Sequence, residues 1–329
     1  MEQRRYPVTH MHMFTHTTSS MGATTSTDIT HAKQNAATAV ETEDNYEGIP
    51  IPLLKKLYRG VTHPIRMLPD FLIIGTQRGG TTSLYRYLKA HPSIGPSSNK
   101  DIHFFDRRFH RGVSWYRGHF PTLLEKYYVE RFHGRPFVTG EASPSYLFYP
   151  HAPKRAAQVV PHIKLIVLLR NPVSRAFSQY HHARKIGYES LSFEEAIQAE
   201  EQRVAKESER VLQDEHYYSE TYKHLSYLSK GIYVDQLKTW MSVFPREQFL
   251  ILKSEEFYTD PAATFNQVLA FLGLSETAEP IEKQHYKQYN NNTYSSKMDP
   301  TLRNHLQEYF APYNARLYEF LGVDLGWDK

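Results

Sequence analysis

The sequence predicts an α/β fold, a single large domain with a mostly parallel central sheet flanked by helices. Three observations lead there. Short apolar runs fit buried strands at Asp70 to Gly75, Phe137 to Gly140, Lys164 to Leu169 and Phe249 to Lys253. Helix-like stretches separate these runs, as crossover connections between parallel strands require. The first run passes directly into a glycine-rich turn and a new helix. With 329 residues, of which 40% are hydrophobic, the chain is long enough for a sizeable core and needs no second folded domain.

Taken in order, residues 1–45 are a Thr/His-rich tail with no sustained hydrophobic period, expected to be disordered, and residues 46–329 form the domain. His10, His12 and His16 alternate in that tail, a pattern better explained by solvated histidines than by a metal site. The first strand ends in Gly75-Thr76-Gln77-Arg78-Gly79-Gly80-Thr81-Thr82-Ser83. Glycines allow a tight turn that brings backbone N–H groups inward, and a helix N-terminus with three hydroxyl residues completes a P-loop-type anion cradle. Gly75-x4-Gly80 matches the start of a Walker A loop, but Thr81 stands where a kinase or ATPase carries lysine. Arg78 supplies a cation from inside the loop instead. Expected helices run from Thr82 to Ala90, Ser174 to Lys185, Phe193 to Leu212, Val234 to Val243, Ala262 to Leu272 and Pro300 to Leu321. The charge-rich Glu194 to Glu220 stretch is expected to be an exposed helix or lid.

After the strand ending at Leu169, Asn171 is a natural helix cap and Pro172 suits the first turn. Arg170 then lies at a strand's C-terminal end and Ser178 two turns into the helix, beside the first loop, where open α/β sheets bind ligands. Between the two loops lies Asn99-Lys100-Asp101-Ile102-His103-Phe104-Phe105-Asp106. An extended conformation would place Asp101 and His103 on one side and Ile102 and Phe104 on the other.

These motifs resemble those of sulfotransferases that use 3′-phosphoadenosine 5′-phosphosulfate (PAPS), in particular the heparan sulfate glucosaminyl group and its stand-alone bacterial relatives. The similarity runs from about Asp70 to Trp327 and includes Thr139-Gly140-Glu141-Ala142-Ser143-Pro144-Ser145-Tyr146. The resemblance implies the sulfotransferase fold and transfer of a sulfonate group to a hydroxyl of a carbohydrate or glycosylated metabolite. It implies that Arg78, Gly79, Gly80, Thr81, Thr82 and Ser83 hold the 5′-phosphosulfate, and that Arg170 and Ser178 hold the 3′-phosphate. Lys297, in the closing loop, is a further donor-binding residue. Asp101 is implied as the general base and His103 as a residue that orients or stabilises the acceptor oxygen. Ala142 departs from the pattern, because heparan enzymes carry a sulfonate-binding lysine there; Lys100, Arg78 and His103 are the candidates to supply that charge. Trp115, Tyr116, Tyr217, Tyr218, Tyr222 and Tyr227 are candidates for a sugar cleft or for the core.

No metal is expected. A nucleoside or metabolite kinase on the same cradle is the rival enzyme, but it predicts the lysine that Thr81 replaces. A nucleotide-binding module without catalysis is the third possibility. The net charge of +4 suits an anionic donor, and the dispersed basic residues carry no nucleic-acid motif. The absence of cysteine excludes disulfides and thiolate metal sites. No apolar run follows Arg4-Arg5 as a secretory leader would, and no segment has the length of a membrane span, so a soluble cytoplasmic protein is expected.

Overall fold

The computed structural model describes residues 53–274 and 297–328. The expectations for the tail, including His10, His12 and His16, lie outside the described residues. In chain order the elements are α1 (Leu53–Thr62), β1 (Phe71–Gly75), α2 (Thr81–Ala90), β2 (Ile94–Pro96), α3 (Gly112–Arg117), α4 (Leu123–His133), β3 (Val138–Ala142), α5 (Ala152–Val159), β4 (Lys164–Leu169) and α6 (Pro172–Lys185). They continue with α7 (Phe193–Gln198), α8 (Glu200–Gln213), α9 (Glu220–Leu225), α10 (Tyr233–Met241), β5 (Phe249–Lys253), α11 (Ser254–Thr259), α12 (Pro261–Leu272) and α13 (Pro300–Leu321).

The five strands form one parallel sheet in the order β2-β3-β1-β4-β5. Phe71 of β1 pairs with Gly140 on one side and Lys164 on the other, and Leu165 pairs with Phe249. All four expected strands are present. The fifth, β2, is an edge strand of three residues whose Gly95 and Pro96 hide it from a hydrophobicity pattern. An edge is where a sheet tolerates proline.

Alternation along the central strands divides the core. Leu72 and Ile74 of β1, with Leu165, Val167 and Leu169 of β4, face one cluster with Phe177 of α6, Trp240 of α10 and Phe310 of α13. Phe71 and Ile73, with Ile166 and Leu168, face the other, which α2 and α12 fill with Leu84, Leu88, Phe265 and Leu269. Both faces being covered explains the continuous apolar runs. The chain leaves β1 toward β2 and β3 on one side and reaches β4 and β5 on the other. A crevice therefore opens at the carboxyl end of β1, beside β3 and β4.

The stretch expected as one exposed helix from Phe193 is two. A capping box formed by Ser192 and Glu195 starts α7, and α8 begins one residue after it ends. Glu200, the first residue of α8, is buried rather than exposed. Its carboxylate accepts hydrogen bonds from the N–H groups of Tyr227 (2.8 Å), Leu228 (2.6 Å) and Ser229 (3.0 Å), and from Ser229 Oγ (2.7 Å). Burial pushes the Glu200 carboxyl up and these bonds offset part of that. The result fixes the 3₁₀ turn Ser229–Gly231, which carries Lys230 into the crevice. Glu200→Ala should leave three N–H groups unsatisfied and lower stability by about 3 kcal/mol, whereas Glu200→Gln, which keeps an acceptor oxygen, should cost less. Urea denaturation measures both, and equal midpoints for Glu200→Ala and wild type would contradict the assignment.

Candidate functional site

The loop after β1 is clamped from two neighbouring strands. Arg170 Nη1, just beyond β4, donates to the Arg78 carbonyl (2.9 Å), and Ser254 Oγ, just beyond β5, donates to the Gly79 carbonyl (2.6 Å). Tyr233 Oη in turn donates to the Arg170 carbonyl (2.8 Å). A Cβ on Gly79 would sit 2.7 Å from the Leu168 carbonyl oxygen, and Gly80, at φ 97°, would place one 2.8 Å from Tyr258 Oη. The cradle is too tight for any side chain at either position, which is the backbone approach an anion site needs. Helix α2 starts at Thr81, so Thr81 and Thr82 present the N–H groups that have no partner within a helix. Thr81 and Ser83 are buried and Thr82 is half-buried.

Arg78, Arg170 and Ser178 converge as expected. Asn171 caps α6 by accepting from Ser174 N (3.0 Å), with Pro172 in the first turn, and Ser178 follows two turns in. Arg78 Nε donates to Ser178 Oγ at 3.1 Å. The three residues thus form one cationic wall at the mouth of the loop.

The segment after Asn99 is not extended, contrary to expectation. Asp101 (φ 59°) and His103 (φ 56°) both adopt the left-handed region, and Phe104 to Arg107 form turns. The alternation that sequence suggested does not aim the two polar groups; two tight backbone reversals do. Asp101 N donates to the Ala142 carbonyl at the end of β3 (2.9 Å), and His103 N donates to Ser143 Oγ (3.1 Å). Phe104 and Phe105 are buried anchors on either side of Tyr116 and Tyr146. Lys100 Nζ pairs with Asp101 Oδ2 at 2.7 Å. Lys100 is therefore committed to Asp101 and does not lie unpaired in the gap left by Ala142. Among the described residues, Arg78, Asp101 and His103 are the non-glycine positions with positive φ. Such geometry costs of order 1–3 kcal/mol per residue and persists where the surroundings over-determine it.

Three further residues join the site that sequence reading missed. Asp106 Oδ2 lies 2.9 Å from His103 Nδ1 and accepts from Ser145 Oγ (2.5 Å). Burial works to raise the Asp106 pKa, but the His103 charge and the bonds from His103 and Ser145 prevail and hold it below the usual carboxylate range. With Nδ1 engaged, Nε2 is the His103 nitrogen left to face a substrate. Lys230, buried in its turn, donates from Nζ to Gln77 Oε1 of the loop (2.7 Å). His182, one turn beyond Ser178, is half-buried, and burial followed by the charges of Arg78 and His224 pushes its pKa down to about 4. Nothing in a linear motif links Lys230 or His182 to the loop, but Asp106 stood inside the quoted segment as a carboxylate three residues from a histidine.

The remaining candidates divide. Lys297 is exposed, next to residues outside the described ones. Tyr116 and Tyr227 are core residues whose hydroxyls donate to Glu141 Oε1 (2.7 Å) and Glu189 Oε2 (2.9 Å). Trp115 stacks on Phe104, and the Tyr217 hydroxyl donates to Glu207 (2.7 Å). Tyr218 and Tyr222 line a small cavity with Asp106, Ser145, Phe148, Lys223 and Lys230.

The sulfotransferase domain family model matches residues 68–311 of the chain. Heparan sulfate glucosamine 3-O-sulfotransferase 6 of Mus musculus is 31% identical over 287 residues, which cover 80% of this chain and 75% of that protein. Bifunctional heparan sulfate N-deacetylase/N-sulfotransferase 3 of Homo sapiens is 35% identical over 216 residues, 63% of this chain and 22% of that protein. The crystal structure of a sulfotransferase from Alicyclobacillus acidocaldarius superposes with a TM-score of 0.57 at 35% identity, covering 80% of this chain and all of that one.

His182 gives this geometry a pH signature. An ordinary histidine titrates near 6.5, so between pH 6.5 and about 4 the folded protein binds fewer protons here than the unfolded chain, and stability falls as pH falls. His182→Gln should flatten that part of the profile. Urea midpoints at pH 7 and pH 5 read the effect, and an unchanged difference between them would show that burial and the neighbouring cations do not hold His182 neutral.

Proposed function

Because the chain belongs to the sulfotransferase family, we propose that its loop holds PAPS and that its acceptor is a hydroxyl of a carbohydrate or glycosylated metabolite. The observation that carries this reading is the coincidence of backbone strain and chemistry. Among the described residues, the three non-glycine positions held at positive φ are Arg78, Asp101 and His103, one on the donor loop and two on the acceptor segment. Strain at those positions buys placement of three polar side chains around one crevice.

In this reading the loop amides with Thr81, Thr82 and Ser83 hold the 5′-phosphosulfate, and Arg78 reaches the group being transferred. Arg170 and Ser178, already joined through Arg78, take the 3′-phosphate, with Lys297 an additional donor contact. Asp101 accepts the acceptor's proton as its oxygen bonds to sulfur, while the bond from sulfur to the phosphate oxygen breaks and leaves its electron pair on the nucleotide. His103 presents Nε2 to the same oxygen. General-base help contributes ~10²–10⁴-fold and positioning the rest. A saccharide acceptor is supported by the relatives named for heparan sulfate, and Tyr222 stacked on Phe148 at 4.6 Å offers aromatic surface beside the site. The proposed compartment is the cytoplasm, on the sequence reading alone.

One observation favours His103 as the base in place of Asp101. Asp106 engages His103 Nδ1, which leaves Nε2 as the nitrogen that faces the acceptor, while Asp101 is tied to Lys100.

Calorimetry tests the donor site. Adenosine 3′,5′-bisphosphate should bind roughly 10- to 150-fold better than AMP, the difference expected from charge-assisted hydrogen bonds to a 3′-phosphate. Equal affinities would sink the roles of Arg170 and Ser178. Asp101→Asn should lower kcat by about 10²–10⁴-fold with bisphosphate affinity nearly unchanged. If instead Asp101→Asn keeps the wild-type basic limb of the pH–rate profile and His103→Ala loses it, His103 is the base.

A further inference from the structure

Lys230 is a buried cation, 3% exposed, and among the described residues no carboxylate lies within ion-pair distance of its ammonium. Its backbone is clamped on both sides. The Glu200 carboxylate holds the preceding N–H groups, and Gln236 Nε2 donates to the Lys230 carbonyl (3.1 Å). Nζ donates to Gln77 Oε1 of the donor loop (2.7 Å) and to the Lys223 carbonyl. An ammonium has three N–H donors, so one remains beyond these two hydrogen bonds, with the Phe148 ring 5.4 Å from Nζ. The side chain also lines a cavity of about 20 Å³, large enough for a single oxygen-sized group. Asp106 and Ser145, the residues that hold His103, line the same cavity.

The ammonium therefore has one bond on the loop proposed for the phosphosulfate and one face toward the residues that hold the acceptor-side histidine. Burying a lysine without a counter-charge is costly, and the site is correspondingly short of negative charge. Burial, followed by the charges of Arg175 and Lys223, pushes the Lys230 pKa well below the usual lysine range, a direction that an arriving anion reverses.

We propose that Lys230 is a catalytic residue of this enzyme, its third N–H donating to an oxygen of the sulfonate during transfer. The assignment rests on the reading that the loop holds PAPS. It supplies from the Ser229–Gly231 turn a cation on the acceptor side of the sulfonate, across from Arg78 within the loop, and it accounts for a buried charge that a purely structural strut would not need.

The test compares adenosine 3′,5′-bisphosphate with PAPS, two nucleotides that differ by the sulfonate, and needs no knowledge of the acceptor. In calorimetry Lys230→Met should bind the bisphosphate within about threefold of wild type but lose roughly tenfold or more in PAPS affinity, the worth of one charge-assisted hydrogen bond. Parallel losses for both nucleotides, or no loss for either, would overturn the proposal and leave Lys230 as a strut. In the wild-type protein with ¹⁵N-labelled lysine, the Lys230 Nζ resonance should move when PAPS replaces the bisphosphate. An unmoved resonance would overturn the proposal even where Lys230→Met fails to fold. If wild type binds neither nucleotide, the donor reading itself has failed, an outcome distinct from either of these.

Discussion

Two hydrogen bonds to carbonyl oxygens hold the donor loop open, and the rest of the site is arranged around them. Arg170 and Ser254, at the ends of adjacent parallel strands, pull the carbonyls of Arg78 and Gly79 outward. Since a trans peptide is planar, the captured Gly79 carbonyl turns the Gly80 N–H the opposite way, into the cradle, while the Gly79 N–H is held by the Thr76 carbonyl (3.0 Å). A Cβ at Gly79 or Gly80 would meet Leu168 or Tyr258, so glycine at these positions is what lets the loop pack this closely. The same Arg170 that fixes the loop belongs to the cationic wall, which ties the shape of the cradle to the charge around it.

The acceptor side depends on a second, buried network. Glu141, on β3 and fully buried, accepts from Tyr116 Oη (2.7 Å), Tyr146 Oη (2.9 Å) and Ser143 Oγ (2.7 Å), while Tyr146 Oη accepts from Phe104 N (2.7 Å). Burial pushes the Glu141 carboxyl up, and burial together with the Glu141 charge pushes the Tyr116 and Tyr146 hydroxyls well above their usual values, so all three remain hydrogen-bonding groups. Phe104 and Phe105 lock the segment into this base, and the left-handed turns at Asp101 and His103 then lift two polar side chains off it. Every buried polar atom in this chain of contacts that lacked its partner would cost about 1–3 kcal/mol, which makes the network a strict frame for the residues above it.

Much of this was legible in the sequence, for identifiable reasons. Strands buried on both faces announce themselves as apolar runs, and the glycine-rich turn after Phe71-Leu72-Ile73-Ile74 and the Asn171-Pro172 cap are local signals with local causes. Hence Arg78, Arg170 and Ser178 were placed correctly relative to one another. Helices α1, α3, α4, α5, α9 and α11 were not anticipated. Of these, α3 is six residues long and is set by packing, its Tyr116 fixed by Phe104 and Glu141, whereas α4 starts on a local signal, Thr122 accepting from Glu125 N. The geometry of Asp101 and His103 was misjudged because an extended run and a pair of left-handed turns share one sequence pattern. Lys230 lies 153 positions from Gln77, and a contact between residues so distant leaves no trace in either neighbourhood.

The account's central claim is that one crevice carries a sulfonate from the nucleotide held by the loop to a sugar hydroxyl beside Asp101 and His103. Incubation with PAPS labelled with ³⁵S, over a panel of saccharides, tests it most directly. The account predicts label covalently attached to a saccharide, with one equivalent of adenosine 3′,5′-bisphosphate released for each transfer. Label that stays on the nucleotide or appears only as inorganic sulfate, whatever saccharide is present, would contradict it.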